Sequence, residues 1–232
     1  MRAIVTGGTR GIGKSVAENL LDQGFEVMIT GTSIGTNNYS DFECFEVNFK
    51  DEIRTKEFLG KAKSFNPDIL INNAGINIID NFIDIKEDDF DSVMRLNLKI
   101  PFLISQAVLP AMIENRYGRI INMTSIFSKV SKEKRASYSA SKFALDGLTK
   151  SIASELSEFN VLVNSVSPGV IQTDLTKGIL GEEGIALIEK QIPQGRLGTT
   201  QEVAKLVGWL VSEHNTYISG QNILIDGGYT IV

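Results

Sequence analysis

Short apolar runs rich in β-branched residues recur along the chain: "RAIVT" (2–6), "FEVMIT" (25–30), "CFEV" (44–47), "DILIN" (68–72), "RIINMT" (119–124), "VLVNSVS" (161–167) and "NILID" (222–226). Each is short and nearly continuously apolar, the pattern of a strand buried on both faces. Between them, segments of helical period occupy 12–23, 51–64, 87–115, 137–158 and 200–212. Strand–helix alternation of this kind implies right-handed crossovers and a parallel sheet covered by helices on both sides. The pattern predicts a single α/β domain over 1–232, with a doubly wound sheet of seven parallel strands.

Composition changes little in this picture. Hydrophobic content of 42%, 22% charged residues and a net charge of −5 suit a globular protein and give no electrostatic reason to expect nucleic acid. The single cysteine, Cys44, excludes an intrachain disulfide and a cysteine-cluster metal site, and it fits a reducing compartment. The start, "MRAIVTGGTR", has no signal-peptide core, and no stretch of about 18 apolar residues occurs, so a cytoplasmic chain without a membrane span is expected.

In such a sheet the ligand crevice forms from loops leaving the C-terminal strand ends, here "GGTRGIG", "GTSIGTNN", "NAGINI", "SIFSK" and "PGVIQTD". The first follows a strand and opens a helix. Its glycines Gly7, Gly11 and Gly13 allow a tight turn and close approach of backbone N–H groups to a pyrophosphate, with the helix N-terminus adding positive potential. Thr9, Arg10 and Ile12 complete this candidate cofactor loop. The second strand ends "ITGTSIG" with no acid before Asp41, whereas an acid there would bond a ribose 2′-hydroxyl and repel a 2′-phosphate. Arg10 can pair with a phosphate, and Thr32 and Ser33 can donate to it, which favours NADP(H) over NAD.

Tyr138 and Lys142 lie four residues apart and share one face of a predicted helix. A phenol titrates near 10, and an adjacent ammonium lowers that value toward the range useful for proton transfer. Ser125 ends a strand thirteen residues before Tyr138, and Asn97 lies within the long helix in "RLNLKIPF".

Taken in order, "TGGTRGIG", "NNAG" (72–75), Asn97, Ser125, "YSASK" (138–142) and "SPGVIQTD" (167–174) resemble the short-chain dehydrogenase/reductase family across nearly the whole chain. The resemblance implies a single-domain Rossmann fold and an oxidoreductase that needs no metal. On the matching positions it implies that Tyr138 is the general acid and that Ser125 holds the substrate carbonyl oxygen. Lys142 would bind the nicotinamide ribose and lower the phenol's pKa, and Asn97 would hold a relay water. Asn73, Ala74 and Gly75 would line the adenosine side, with Asn48 at the adenine. Val170 and Thr173, after Pro168 and Gly169, would meet the nicotinamide amide. Family members usually form tetramers, so a homotetramer or homodimer is expected.

Within the family, "ITGTS", "IPQGRLGTTQEVA" (192–204) and "ISGQNILIDGGYTIV" (218–232) are most similar to 3-oxoacyl-[acyl-carrier-protein] reductases of fatty acid synthesis. Sugars, nucleotide-linked sugars and other small ketones are the alternative substrates. Lys129, Lys132, Lys134 and Arg135, with only Glu133 between them, form a basic stretch suited to steering an anionic partner toward a substrate lid at 175–195, where Lys177 adds a further cation. "GTSIG" (31–35) also matches a hydrolase nucleophile elbow, with His214 later in the chain, but a strand rather than a helix is predicted next. A cofactor-sensing protein without turnover is the other rival; such proteins commonly lose the tyrosine or lysine, and both are present here.

Overall fold

The structure, a computed structural model, describes residues 1–35 and 39–232. The tail of the "GTSIGTNN" loop, residues 36–38, lies outside the described residues. Strands β1 (Arg2–Val5), β2 (Glu26–Gly31), β3 (Glu43–Glu46), β4 (Ile69–Asn72), β5 (Gly118–Met123), β6 (Val161–Pro168) and β7 (Asn222–Ile225) form one sheet, in the order β3-β2-β1-β4-β5-β6-β7. Every pairing is parallel, and all seven apolar runs are strands. The strand order reverses between β1 and β4, which opens a crevice at their carboxyl ends.

Helices α1 (Gly11–Asp22) and α7 (Thr200–Val211) pack on one face of the sheet. Helices α2 (Glu52–Phe65), α4 (Ile100–Glu114) and α5 (Ala136–Leu156) pack on the other. Alternation along each strand supplies both cores: Ala3 and Val5 face α1 and α7, while Ile4 joins Phe58 and Ile104 on the opposite side. Positions of both parities are therefore apolar, which is why the strands read as continuous runs.

Two elements depart from the expected pattern. The helix expected over 87–115 is α3 (Glu87–Met94), a π-helical turn (Arg95–Lys99) and α4. An uninterrupted α-helix would need Pro101 to donate to the carbonyl of Asn97, and proline has no N–H. The ladder shifts instead, so that the Ile100 N–H reaches the Arg95 carbonyl. This run of Glu87–Glu114 is long and apolar enough to cross a membrane, but Ile100, Ile104, Val108 and Met112 are buried against the sheet. The second departure is helix α6 (Asp174–Glu189), in the segment read only as a lid. Gly178, Gly181 and Gly184 obscure its period, and Gly181 (φ 62°, ψ −179°) breaks it in two.

Candidate active site

The glycine loop is folded by its neighbours as much as by its own sequence. The Thr6 hydroxyl accepts from the Asn73 and Ala74 N–H groups at 2.9 and 3.0 Å. The Asn73 amide donates to the Thr6 and Gly7 carbonyls at 3.0 and 3.2 Å. Gly7 adopts a φ of 65°, and a Cβ on Gly13 would sit 2.2 Å from the Gly7 carbonyl oxygen. No side chain caps the start of α1 and no acid lies in its first turn, so its N-terminal amides are open to an anion. Across the crevice, the Thr173 methyl stands 3.7 Å from where a Gly11 Cβ would lie, which brings the "SPGVIQTD" loop over the glycine loop. Backbone bonds from Gly169 to Ile225 and from Gly198 to Val170 hold that loop beyond Pro168. These residues fit a dinucleotide pyrophosphate: the cradle is bare of side chains at the positions a phosphate must approach.

Gly13→Ala is expected to drive a methyl group into the Gly7 carbonyl and the Asn73 amide. Overpacking of this kind costs about 1–3 kcal/mol, so both melting temperature and NADPH affinity should fall. Gly60→Ala is the matched control. It lies within α2 with open space around it, and alanine there should stabilise by about 1 kcal/mol. Thermal melts and a cofactor-fluorescence titration check both; unchanged NADPH binding in Gly13→Ala would disprove the cradle.

At the ribose edge, Arg10, Thr32 and Ser33 are exposed. The β2–β3 register pairs Gly31 with Glu46, whose carboxylate accepts from the Ile34 N–H at 3.2 Å. An acid therefore does reach this edge, from β3 rather than β2, where reading along β2 misses it. Asn48 uses its side-chain oxygen on the Lys50 N–H and so shapes its own turn. Tyr39 ties the two loops together by donating to the Thr9 carbonyl at 2.9 Å.

Asn97 and Lys142 stand beside Gly75, and Tyr138, which faces Lys142, meets the Ser125 hydroxyl. Ser125 leaves β5 and caps a 3₁₀ turn (Ile126–Ser128), accepting from the Phe127 N–H. A chain of hydroxyls and one amide (Thr124, Ser167, Ser128 and Asn222) braces that turn from below. Tyr138 enters from the first turn of α5, its ring edge-to-face with Phe127 at 6.2 Å. Lys142, one turn later, donates to the Met123 carbonyl at 2.7 Å and lies 5.6 Å from the Tyr138 ring centroid. Asn97 is wholly buried, exchanges both amide hydrogen bonds with the Ile76 backbone, and donates to Ser141 at 3.0 Å.

Burial pushes the Tyr138 phenol above its ordinary value, and the Ser125 hydroxyl and the Arg135 guanidinium draw it back. Burial pulls the Lys142 ammonium down to about 8. The cation that lowers the phenol is Arg135, a member of the basic stretch expected to steer an anionic partner, whereas the resemblance implied Lys142. Thr6 and Ser141 lie inside the quoted motifs "TGGTRGIG" and "YSASK" but were given no role, and the bracing role of Ser128 had no signal of its own, because small hydroxyl residues are common in loops. A cavity of about 870 Å³, lined by Asp88, Arg95, Lys99, Phe102 and Leu148 among others, contains none of the four converging residues.

A family profile described as enoyl-(acyl carrier protein) reductase matches residues 7–230. The chain belongs to the short-chain dehydrogenase/reductase family. It is an NAD(P)-dependent oxidoreductase with the Rossmann fold of that family. It is 39% identical to the 3-oxoacyl-[acyl-carrier-protein] reductase FabG of Aquifex aeolicus, over 97% of this chain and 96% of the relative. Identity to the Escherichia coli reductase of the same name is 35%, over 99% of this chain and 97% of the relative. Among solved structures, a gluconate 5-dehydrogenase from Burkholderia cenocepacia, in complex with NADP and tartrate, superposes with a TM-score of 0.91 at 28% identity, covering 100% of this chain and 95% of that one.

Proposed function

We propose that the chain reduces a ketone to a secondary alcohol with NADPH, and that 3-oxoacyl-[acyl-carrier-protein] thioesters of fatty acid synthesis are its substrates. The observation that carries the reading is the convergence of a phenol, a serine hydroxyl and a buried ammonium beside a phosphate cradle. The relatives named as 3-oxoacyl reductases, at 35% and 39% identity, support the substrate class. The NADP in the gluconate 5-dehydrogenase complex supports the choice of cofactor, as does the exposed Arg10, whose cation offsets the Glu46 carboxylate at that edge.

A bound nicotinamide supplies the hydride. The protein's part is orientation, charge stabilisation and one proton. Ser125 fixes the carbonyl oxygen, and Tyr138 donates the proton from its Oη as negative charge develops there. Lys142 contributes its ammonium to the nicotinamide ribose and to the phenol's field. Asn97 locks the Ile76 loop to α5 beside Lys142, where a proton relay to solvent has its inner end. Lys129, Lys132 and Lys134 are exposed and supply a basic approach for an acidic carrier protein.

The test is NADPH oxidation with an acetoacetyl thioester of acyl carrier protein, run beside NADH and at two salt concentrations. Turnover with NADPH preferred, and kcat/KM falling as salt screens the basic approach, is the expected result. If no ketone of any class oxidises NADPH, the chain is not a reductase.

A further inference from the structure

The last residue of β3 stands beside the last residue of β2. Glu46 pairs in register with Gly31, and the Val47 N–H donates to the Gly31 carbonyl at 2.8 Å. In-register neighbours in a sheet project their side chains to the same face. Ile29 and its partner Cys44 both join the core beneath α1, so Gly31 and Glu46, two residues further on, share that face. The glycine loop lies on it too: a Cβ on Gly31 would sit 2.5 Å from the Thr9 methyl. Tyr39 fastens the same loop by donating to the Thr9 carbonyl. Glu46 therefore presents its side chain on the side of the sheet that holds the phosphate cradle, at the carboxyl end of β2.

The carboxylate is open to a ligand. Glu46 is exposed, and its Oε2 accepts from the Ile34 N–H at 3.2 Å. Among the described residues, no cation pairs with it and no other donor reaches it, which leaves Oε1 free. In a crevice of this topology an acid at the end of the second strand accepts from the adenosine ribose 2′-hydroxyl and repels a 2′-phosphate. The physics requires a carboxylate at that point and is indifferent to which strand carries it. Arg10, exposed on the glycine loop, acts in the opposite sense, since a guanidinium attracts phosphate. Charges of opposite sign at one edge make selection at the 2′ position a balance between the two nucleotides.

We propose that Glu46 is a specificity-determining residue that admits NADH to this centre beside NADPH. Its free oxygen accepts from the ribose 2′-hydroxyl of NADH in a charge-assisted bond. Its charge opposes the 2′-phosphate of NADPH, which carries close to two negative charges at neutral pH, and so weakens the hold that Arg10 provides. The inference rests on the cofactor part of the proposed function and deepens it. Glu46 binds at the adenosine end and takes no part in hydride or proton transfer.

The experiment titrates NADPH and NADH by fluorescence into the wild-type chain, Glu46→Gln and Glu46→Ala, without substrate. The wild type should bind NADH within about tenfold of NADPH. Glu46→Gln should raise the preference for NADPH about tenfold, the scale of one lost charged hydrogen bond, with NADH weakened and NADPH tightened. Glutamine keeps an oxygen for the Ile34 N–H, so the turn retains its bond and the shift reports the charge. Glu46→Ala should move the ratio in the same direction. A wild-type preference for NADPH above about tenfold overturns the use of NADH. A ratio unmoved in Glu46→Gln, or both affinities falling alike, overturns the role of Glu46 and leaves the cofactor reading standing. Binding of neither nucleotide to the wild type overturns both. The wild-type ratio tests the proposal even where a variant does not fold.

Discussion

Tyr138→Phe is expected to lower kcat for ketone reduction at least about 10³-fold, within the range for a removed general acid, while NADPH affinity stays within about twofold. The ring is held by an edge-to-face contact with Phe127 and by its place in α5, and phenylalanine keeps both. What disappears is the Oη, the proposed donor to the substrate oxygen. Water replaces it poorly, because the crevice around Ser125 and Lys142 is buried. Stopped-flow reduction and a parallel cofactor titration separate the two effects. Turnover near the wild-type rate in this variant would remove Tyr138 from the mechanism. Loss of NADPH binding would instead show that the hydroxyl is part of the cofactor site.

Lys142→Met should also abolish most reduction, and it carries a second consequence that can be read without substrate. Burial pulls the Lys142 ammonium down to about 8, from an ordinary value of 10.5. The folded chain therefore holds fewer protons than the unfolded chain between those pH values, and stability from this group rises with pH across that window. Below about pH 8 the penalty is fully present, and a shift of this size corresponds to about 3 kcal/mol. The wild-type unfolding free energy minus that of Lys142→Met is thus expected to grow as pH is raised from 7 to 10. Chemical denaturation at fixed ionic strength measures it. A difference that stays flat with pH would place the ammonium in contact with water. The protein bears this cost because a desolvated cation beside the phenol and the ribose site is what the chemistry needs.

The fold was legible because its signal is repetitive and local. All seven strands were visible as apolar runs, since a sheet covered on both faces demands apolar residues at every strand position. The elements that escaped reading are those whose local pattern is broken. Helix α6 carries three glycines and is broken at Gly181, and the π turn lies just before Pro101 in a long helical pattern. Ser125, Tyr138, Lys142 and Asn97 could be singled out through motif order and spacing, because the proposed chemistry asks for these residue types and the helix fixes the Tyr138–Lys142 interval.

What the sequence by itself determined is the class of the protein: a doubly wound sheet, a phosphate cradle after its first strand, and a tyrosine–lysine pair on one helical face. Tertiary structure alone decided the surroundings. The parallel register of β2 with β3 brings Glu46 to the ribose edge, which no reading along β2 reveals. The Asn73 side chain serves the glycine loop rather than projecting freely into the crevice. In "KEKR", three cations and an acid look alike as letters, yet only Arg135 is folded against Phe127 with its donors unmet. The physical reason is common to all three. Local periodicity sets which elements form, whereas burial and unsatisfied hydrogen bonds depend on what the rest of the chain places opposite each side chain.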